Sequence, residues 1–119
     1  MYEYAAVVVR VVDGDTIDVD IDNGFGITSR KRLRLFGVDA PETYGVKKES
    51  EEYEKGLAAK VWLDEMIGGK QVVVHTSKDR TGKFGRYLAK VYLPSGEGSI
   101  GLDVIAEMVE AGHAVPKEY

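Results

Sequence analysis

From Thr16 to Ile21 the chain alternates without a break: Ile17, Val19 and Ile21 share one parity, Asp18 and Asp20 the other. A period of two belongs to a strand with one face buried and the other in water. It also fixes register, because a slip of one residue would carry both isoleucines into solvent. Asp22-Asn23-Gly24 follows at once and reads as a hairpin turn, with Ile27 to Phe36 as the returning strand. Ahead of the pair, Asp13-Gly14-Asp15 is a second turn, in which Gly supplies unusual backbone angles and Asp caps. Glu3 to Val12, rich in Val and Tyr, is the strand before it. The first third of the molecule is thus a three-stranded meander. Asp15 has the parity of the Ile17 face and is directed inward, whereas Asp18 and Asp20 are expected only to decorate the outer face.

The returning strand leads into Arg34-Leu35-Phe36-Gly37-Val38-Asp39-Ala40-Pro41-Glu42-Thr43. Gly37 and Pro41 end the ladder, which leaves Asp39 and Glu42 in a loop with Arg34 a few residues behind. Hard oxygen ligands beside a guanidinium fork suit a divalent cation and a phosphate in one site. Either aspartate alone is most simply a turn cap. Asp15 and Asp39 together, with Glu42 and Arg34, favour a metal, because two inward carboxylates would otherwise repel and be desolvated. Oxygen-only donors suggest calcium, with magnesium or manganese as alternatives.

Further along, Ala59, Trp62, Leu63 and Met66 follow helical spacing, ended by Gly68-Gly69. The start of that helix is open between an N-cap at Ser50 and a start at Gly56. Gln71 to Thr76 and Arg86 to Leu93 are strands joined by the polar loop 77–85. Leu102, Ile105, Met108 and Val109 mark a second helix closed by Gly112. Five strands, with one helix after the third and another after the fifth, match an α+β chain: a five-stranded Greek-key oligonucleotide-binding barrel with two helices. At 119 residues one domain, 1–119, is expected.

Composition narrows the chemistry. There is no cysteine, which excludes disulfides and thiolate sites, and with two histidines a His-rich metal centre is excluded as well. The net charge of −4 argues against a protein that coats nucleic acid. Yet eleven of the sixteen Lys and Arg fall in segments 30–48 and 78–90, as for a local cationic groove. No apolar run is long enough to span a bilayer. The chain opens on no charged-then-apolar leader, so a cytoplasmic location is expected, or secretion if a leader was trimmed. His75 is expected to be structural and His113 exposed, and Glu49 to Glu54 to be a solvated helix face.

Three blocks, Val12-Asp13-Gly14-Asp15-Thr16, Arg34 to Thr43, and Asp79-Arg80-Thr81-Gly82-Lys83-Phe84-Gly85-Arg86, resemble the signature blocks of the staphylococcal nuclease (thermonuclease) family. Val109-Glu110-Ala111-Gly112-His113-Ala114 resembles the end of that family's second helix. The resemblance implies a calcium-dependent nuclease hydrolysing DNA and RNA, preferably single-stranded, to 3′-phosphate ends. It implies one calcium ion per chain, held by Asp15, Asp39 and the Ala40 carbonyl. Glu42 would contact the attacking water, Arg34 and Arg86 would clamp the phosphate, and Lys83 and Phe84 would contact the nucleotide. A monomer that avoids membranes is expected.

The chain departs from the family at Ala40 and Phe84, which replace Thr and Tyr, and at Ile105, which replaces a polar Asn. With the sequence stopping at Tyr119, the later tyrosines and third helix of that family are expected to be missing. The rival reading is a catalytically silent module of the same fold that binds nucleic acid or protein. A plain calcium-binding domain would leave both arginines unexplained.

Overall fold

The alternation becomes an antiparallel meander, β1 (Tyr2–Asp13), β2 (Thr16–Asp22) and β3 (Thr28–Leu35). The computed structural model describes residues 2–43, 47–78, 87–96 and 100–117. Ile17, Val19 and Ile21 are buried, together with Ala6, Val8 and Val11 of β1 and Leu33 and Leu35 of β3. The β2–β3 tip is longer than the expected Asp22-Asn23-Gly24. Ile27 N–H donates to the Gly24 carbonyl at 3.0 Å, and Asn23 N–H to the Ile27 carbonyl at 2.9 Å. Gly24, Phe25 and Gly26 all take positive φ there, which postpones the returning strand to Thr28.

After β3, Gly37 at φ 75° reverses the chain into a two-residue strand, β4 (Val38–Asp39). Helix α1 (Glu51–Ile67) then starts at Ser50, whose hydroxyl accepts the Tyr53 N–H at 3.1 Å. The cap therefore decides between Ser50 and Gly56. Ala59, Leu63 and Ile67 of α1 are fully buried, while Trp62 and Met66 flank them half-buried.

Strands β5 (Gln71–Lys78) and β6 (Tyr87–Pro94) complete the wall. The order is β3-β2-β1-β5-β6, and β3 and β6 close it by parallel pairing of Leu33, Arg34 and Leu35 with Tyr87, Leu88 and Ala89. The result is the five-stranded oligonucleotide-binding barrel of an α+β protein. Its interior holds Val8, Ile17, Val19, Leu33, Leu35, Val72, Val74 and Val91, and Leu63, Ile67 and Met108 come from the two helices. Burial of each large side chain contributes about 1.5–3 kcal/mol.

The C-terminal part differs in detail from the sequence reading. Leu102 is not helical; it lies exposed on an added strand, β7 (Ile100–Asp103), paired with β6. Helix α2 (Val104–Glu110) starts at an Asp103 cap, whose carboxylate accepts the Ala106 N–H at 3.1 Å. The cap excludes Leu102 although its spacing matched. Strand β8 (Val115–Pro116) then pairs with β4.

Candidate active site

The site is built where two turns meet the side of α1. At Gly14, in the β1–β2 turn, a Cβ would lie 2.8 Å from the Ala40 Cβ and 3.0 Å from the Ala59 Cβ. At Gly56 a Cβ would lie 2.9 Å from the carbonyls of Pro41 and Glu42. Small residues on all sides thus let the turn, the loop after β4 and the helix touch main chain to main chain. Thr43 adds a tie, its hydroxyl donating to Asp13 Oδ1 at 3.3 Å. Asp13 also accepts the Gly14 N–H at 3.0 Å and so caps its own turn.

That packing brings Asp15, Arg34 and Asp39 into contact. Arg34, buried at the end of β3, donates from Nη1 to the carbonyls of Val38 (2.8 Å) and Leu35 (3.2 Å). Its Nη2 contacts Asp39 Oδ1 and lies 3.5 Å from Asp15 Oδ2. Asp15 is fixed in turn. Its Oδ2 accepts the Ala40 N–H at 3.1 Å, its Oδ1 accepts the Thr16 hydroxyl at 3.1 Å, and its carbonyl accepts the Leu35 N–H at 2.8 Å. The Asp39 side chain is about half exposed at 46% and also meets Lys117 Nζ, 3.5 Å from Oδ1. A half-open carboxylate thus stands beside a fixed one, with a guanidinium locked by main-chain carbonyls between them.

Residues 32–119 match the staphylococcal nuclease homologue family. The chain belongs to the staphylococcal nuclease family. Among its relatives, a thermonuclease of Staphylococcus intermedius is 37% identical over 71% of this chain and 46% of its own length. An uncharacterized endonuclease of Escherichia coli is 37% identical over 90% of this chain and 57% of its own. Endonuclease YhcR of Bacillus subtilis is 31% identical over 94% of this chain but only 9% of its own length. The chain thus spans about half, or much less, of the curated relatives it matches.

In this staphylococcal nuclease relative the oxygens of Asp15 and Asp39 are a donor set that fits a hard divalent cation. Among the described residues no three carboxylates or imidazoles converge. Two carboxylates leave most of such an ion's coordination to water, main chain and substrate, as calcium and magnesium accept. Ala40 is buried behind Asp15, which its N–H faces. Glu42 follows on the same loop, exposed, with its backbone against Gly56. Arg86, Lys83 and Phe84 lie outside the described residues, as does Tyr119.

The expected cationic groove is only partly available. Arg32 and Asp18, and Arg30 and Asp20, face each other across β2 and β3 as two-pronged ion pairs with shortest contacts of 2.8 Å. Asp18 and Asp20 therefore do more than decorate the outer face. The hydrogen bond from Arg32 holds the Asp18 carboxyl below its ordinary value, and Arg30 does the same for Asp20. Lys90 is placed over the Phe36 ring, 5.5 Å from its centre.

The alternation that revealed the strands also carried this ladder, since charges of opposite sign stood on the outward parity of both. His75, inside β5, bonds Glu3 at 2.8 Å and packs against Tyr92. His113 is half-buried rather than exposed, its ring 5.7 Å from that of Trp62. Lys117 was missed altogether, and nothing local in the sequence signals a contact across so many residues.

Proposed function

We propose that this chain is a calcium-dependent nuclease that hydrolyses DNA and RNA, preferably single-stranded, to 3′-phosphate ends. One arrangement carries the reading: a guanidinium locked by two main-chain carbonyls and aimed at carboxylates from two different turns. Its membership in a family with relatives named as nucleases supports the same conclusion.

Asp15 and Asp39, with the Ala40 carbonyl, would hold one calcium ion, which when bound would supply positive charge against the phosphoryl oxygens. Arg34 has no rotamer to search, because its Nη1 is already committed to Val38 and Leu35. Its Nη2, one N–H of which meets Asp39, would offer the other to an equatorial oxygen as charge builds there, and this would lower the barrier more than it strengthens ground-state binding. Arg86 is assigned the second clamp, and Lys83 and Phe84 the flanking nucleotide. Glu42, exposed at the rim, orients the water whose oxygen bonds to phosphorus as the bond to the 5′ oxygen breaks. The water gives up a proton to Glu42 or to solvent, and the departing 5′ oxygen takes one up from solvent. The products are a 3′-phosphate and a 5′-hydroxyl.

The test is cleavage of a fluorescent single-stranded DNA oligomer in calcium, magnesium or EDTA, for the parent and for Glu42→Ala. Calcium-dependent cutting that both EDTA and the substitution suppress is the expected result. Binding of the oligomer with no cutting under any metal would overturn the proposal in favour of a silent binding barrel.

A further inference from the structure

Among the described residues, the charges in contact around Asp39 balance. Asp15 and Asp39 contribute two negative charges, and Arg34 and Lys117 contribute two positive ones. Arg34 and Lys117 both address the same atom, Asp39 Oδ1. They differ in burial and in main-chain ties. Arg34's side chain is 9% exposed and tied to two carbonyls, whereas Lys117's is 41% exposed on a four-carbon stem.

Lys117 is nonetheless delivered to Asp39 by the fold. Its N–H donates to the Gly37 carbonyl at 2.7 Å, and β8, just before it, pairs Val115 with Asp39.

We propose that Lys117 is a positioning residue whose ammonium serves as an internal counter-cation for Asp39 and is displaced when a divalent cation binds there. The inference rests on the metal reading of Asp15 and Asp39 given above. Cation binding is then an exchange. A doubly charged ion arriving at Oδ1 repels the ammonium, which swings into water, while the backbone tie at Gly37 keeps the loop in place. The exchange weakens cation affinity, and it spares the metal-free site an unbalanced negative charge on Asp39.

The experiment is calorimetric titration with calcium of the parent, Lys117→Met, Lys117→Gln and Lys117→Arg at low ionic strength, alongside melting with and without calcium. Removing the charge should tighten calcium binding by roughly three- to tenfold, the scale of a half-exposed ion pair plus the relieved repulsion. Lys117→Arg should stay near the parent. Without calcium the Met and Gln variants should melt below the parent, and saturating calcium should close that gap. Equal or weaker calcium binding by the Met and Gln variants overturns the exchange while leaving the metal site standing. If neither parent nor variants bind calcium, the metal reading falls and the exchange with it.

Discussion

Arg34 is a charge taken almost wholly out of water, and its neighbours explain what holds it in place. Two carbonyls and two carboxylates surround it. Removing it would leave Asp15, itself buried, without its cation. Breaking a buried pair from one side is costly, so Arg34→Met should lose about 3 kcal/mol in urea denaturation. Saturating calcium should recover part of that loss, because an ion bound only by the folded state stabilises it. Cleavage should fall by roughly 10²-fold or more, as when one transition-state donor is deleted. A variant as stable as the parent, cutting at nearly the parent's rate, would remove Arg34 from both roles. Asp15, Arg34 and Asp39 were legible in the sequence because turn glycines and strand parity placed them at neighbouring ends. Lys117 was not legible, because its place depends on a two-residue strand with no periodicity to read.

At the level of elements, α1 is the support against which both site turns rest, and Gly56 marks where the contact is closest. Alanine there would add about 1 kcal/mol of helix propensity. It would also set a Cβ 2.9 Å from main-chain atoms of Pro41 and Glu42, which cannot rotate away. The clash should win. Gly56→Ala is expected to be destabilised by about 1–3 kcal/mol and to cleave more slowly, since the loop carrying Asp39 and Glu42 must move. An alanine variant more stable than the parent would mean that α1 does not hold the loop. Ser50→Ala, by contrast, should cost about 1 kcal/mol through the lost cap and leave cleavage intact at temperatures where the variant stays folded. The long elements were readable because each buries a periodic stripe. β7 was not, since all four of its residues are exposed and give no alternation. Leu102 has the spacing of the helical stripe behind it, but the Asp103 cap starts the helix at Val104.

Over the whole molecule, the barrel separates two uses of cationic charge that composition alone merged. Arg34 belongs to the site, whereas Arg30 and Arg32 are spent on Asp20 and Asp18 along the outer face. Together these pairs bridge β2 to β3, the strand that closes the barrel against β6. Their contribution depends on pH in a definite direction. Both aspartates are held below the ordinary carboxylate value of 3.8 by their arginines. A depressed folded-state pKa gives stability that is fully present above the unfolded value and lost as pH falls through the folded one. The ladder should therefore steepen the acid limb of the stability curve below that value and leave the curve flat near neutrality. Replacing Asp18 and Asp20 together by Asn should make the acid limb shallower, most visibly at low salt, because the pairs are exposed enough to be screened. The check is the urea midpoint for parent and double variant, followed from neutrality down past the ordinary carboxylate value of 3.8 to the onset of acid unfolding, because the contribution is lost only as pH falls through the depressed folded-state value. Curves that stay parallel throughout would show that the ladder orients the strands without stabilising them. Convergence at the acid end would show that it fastens the wall on which Arg34 is mounted.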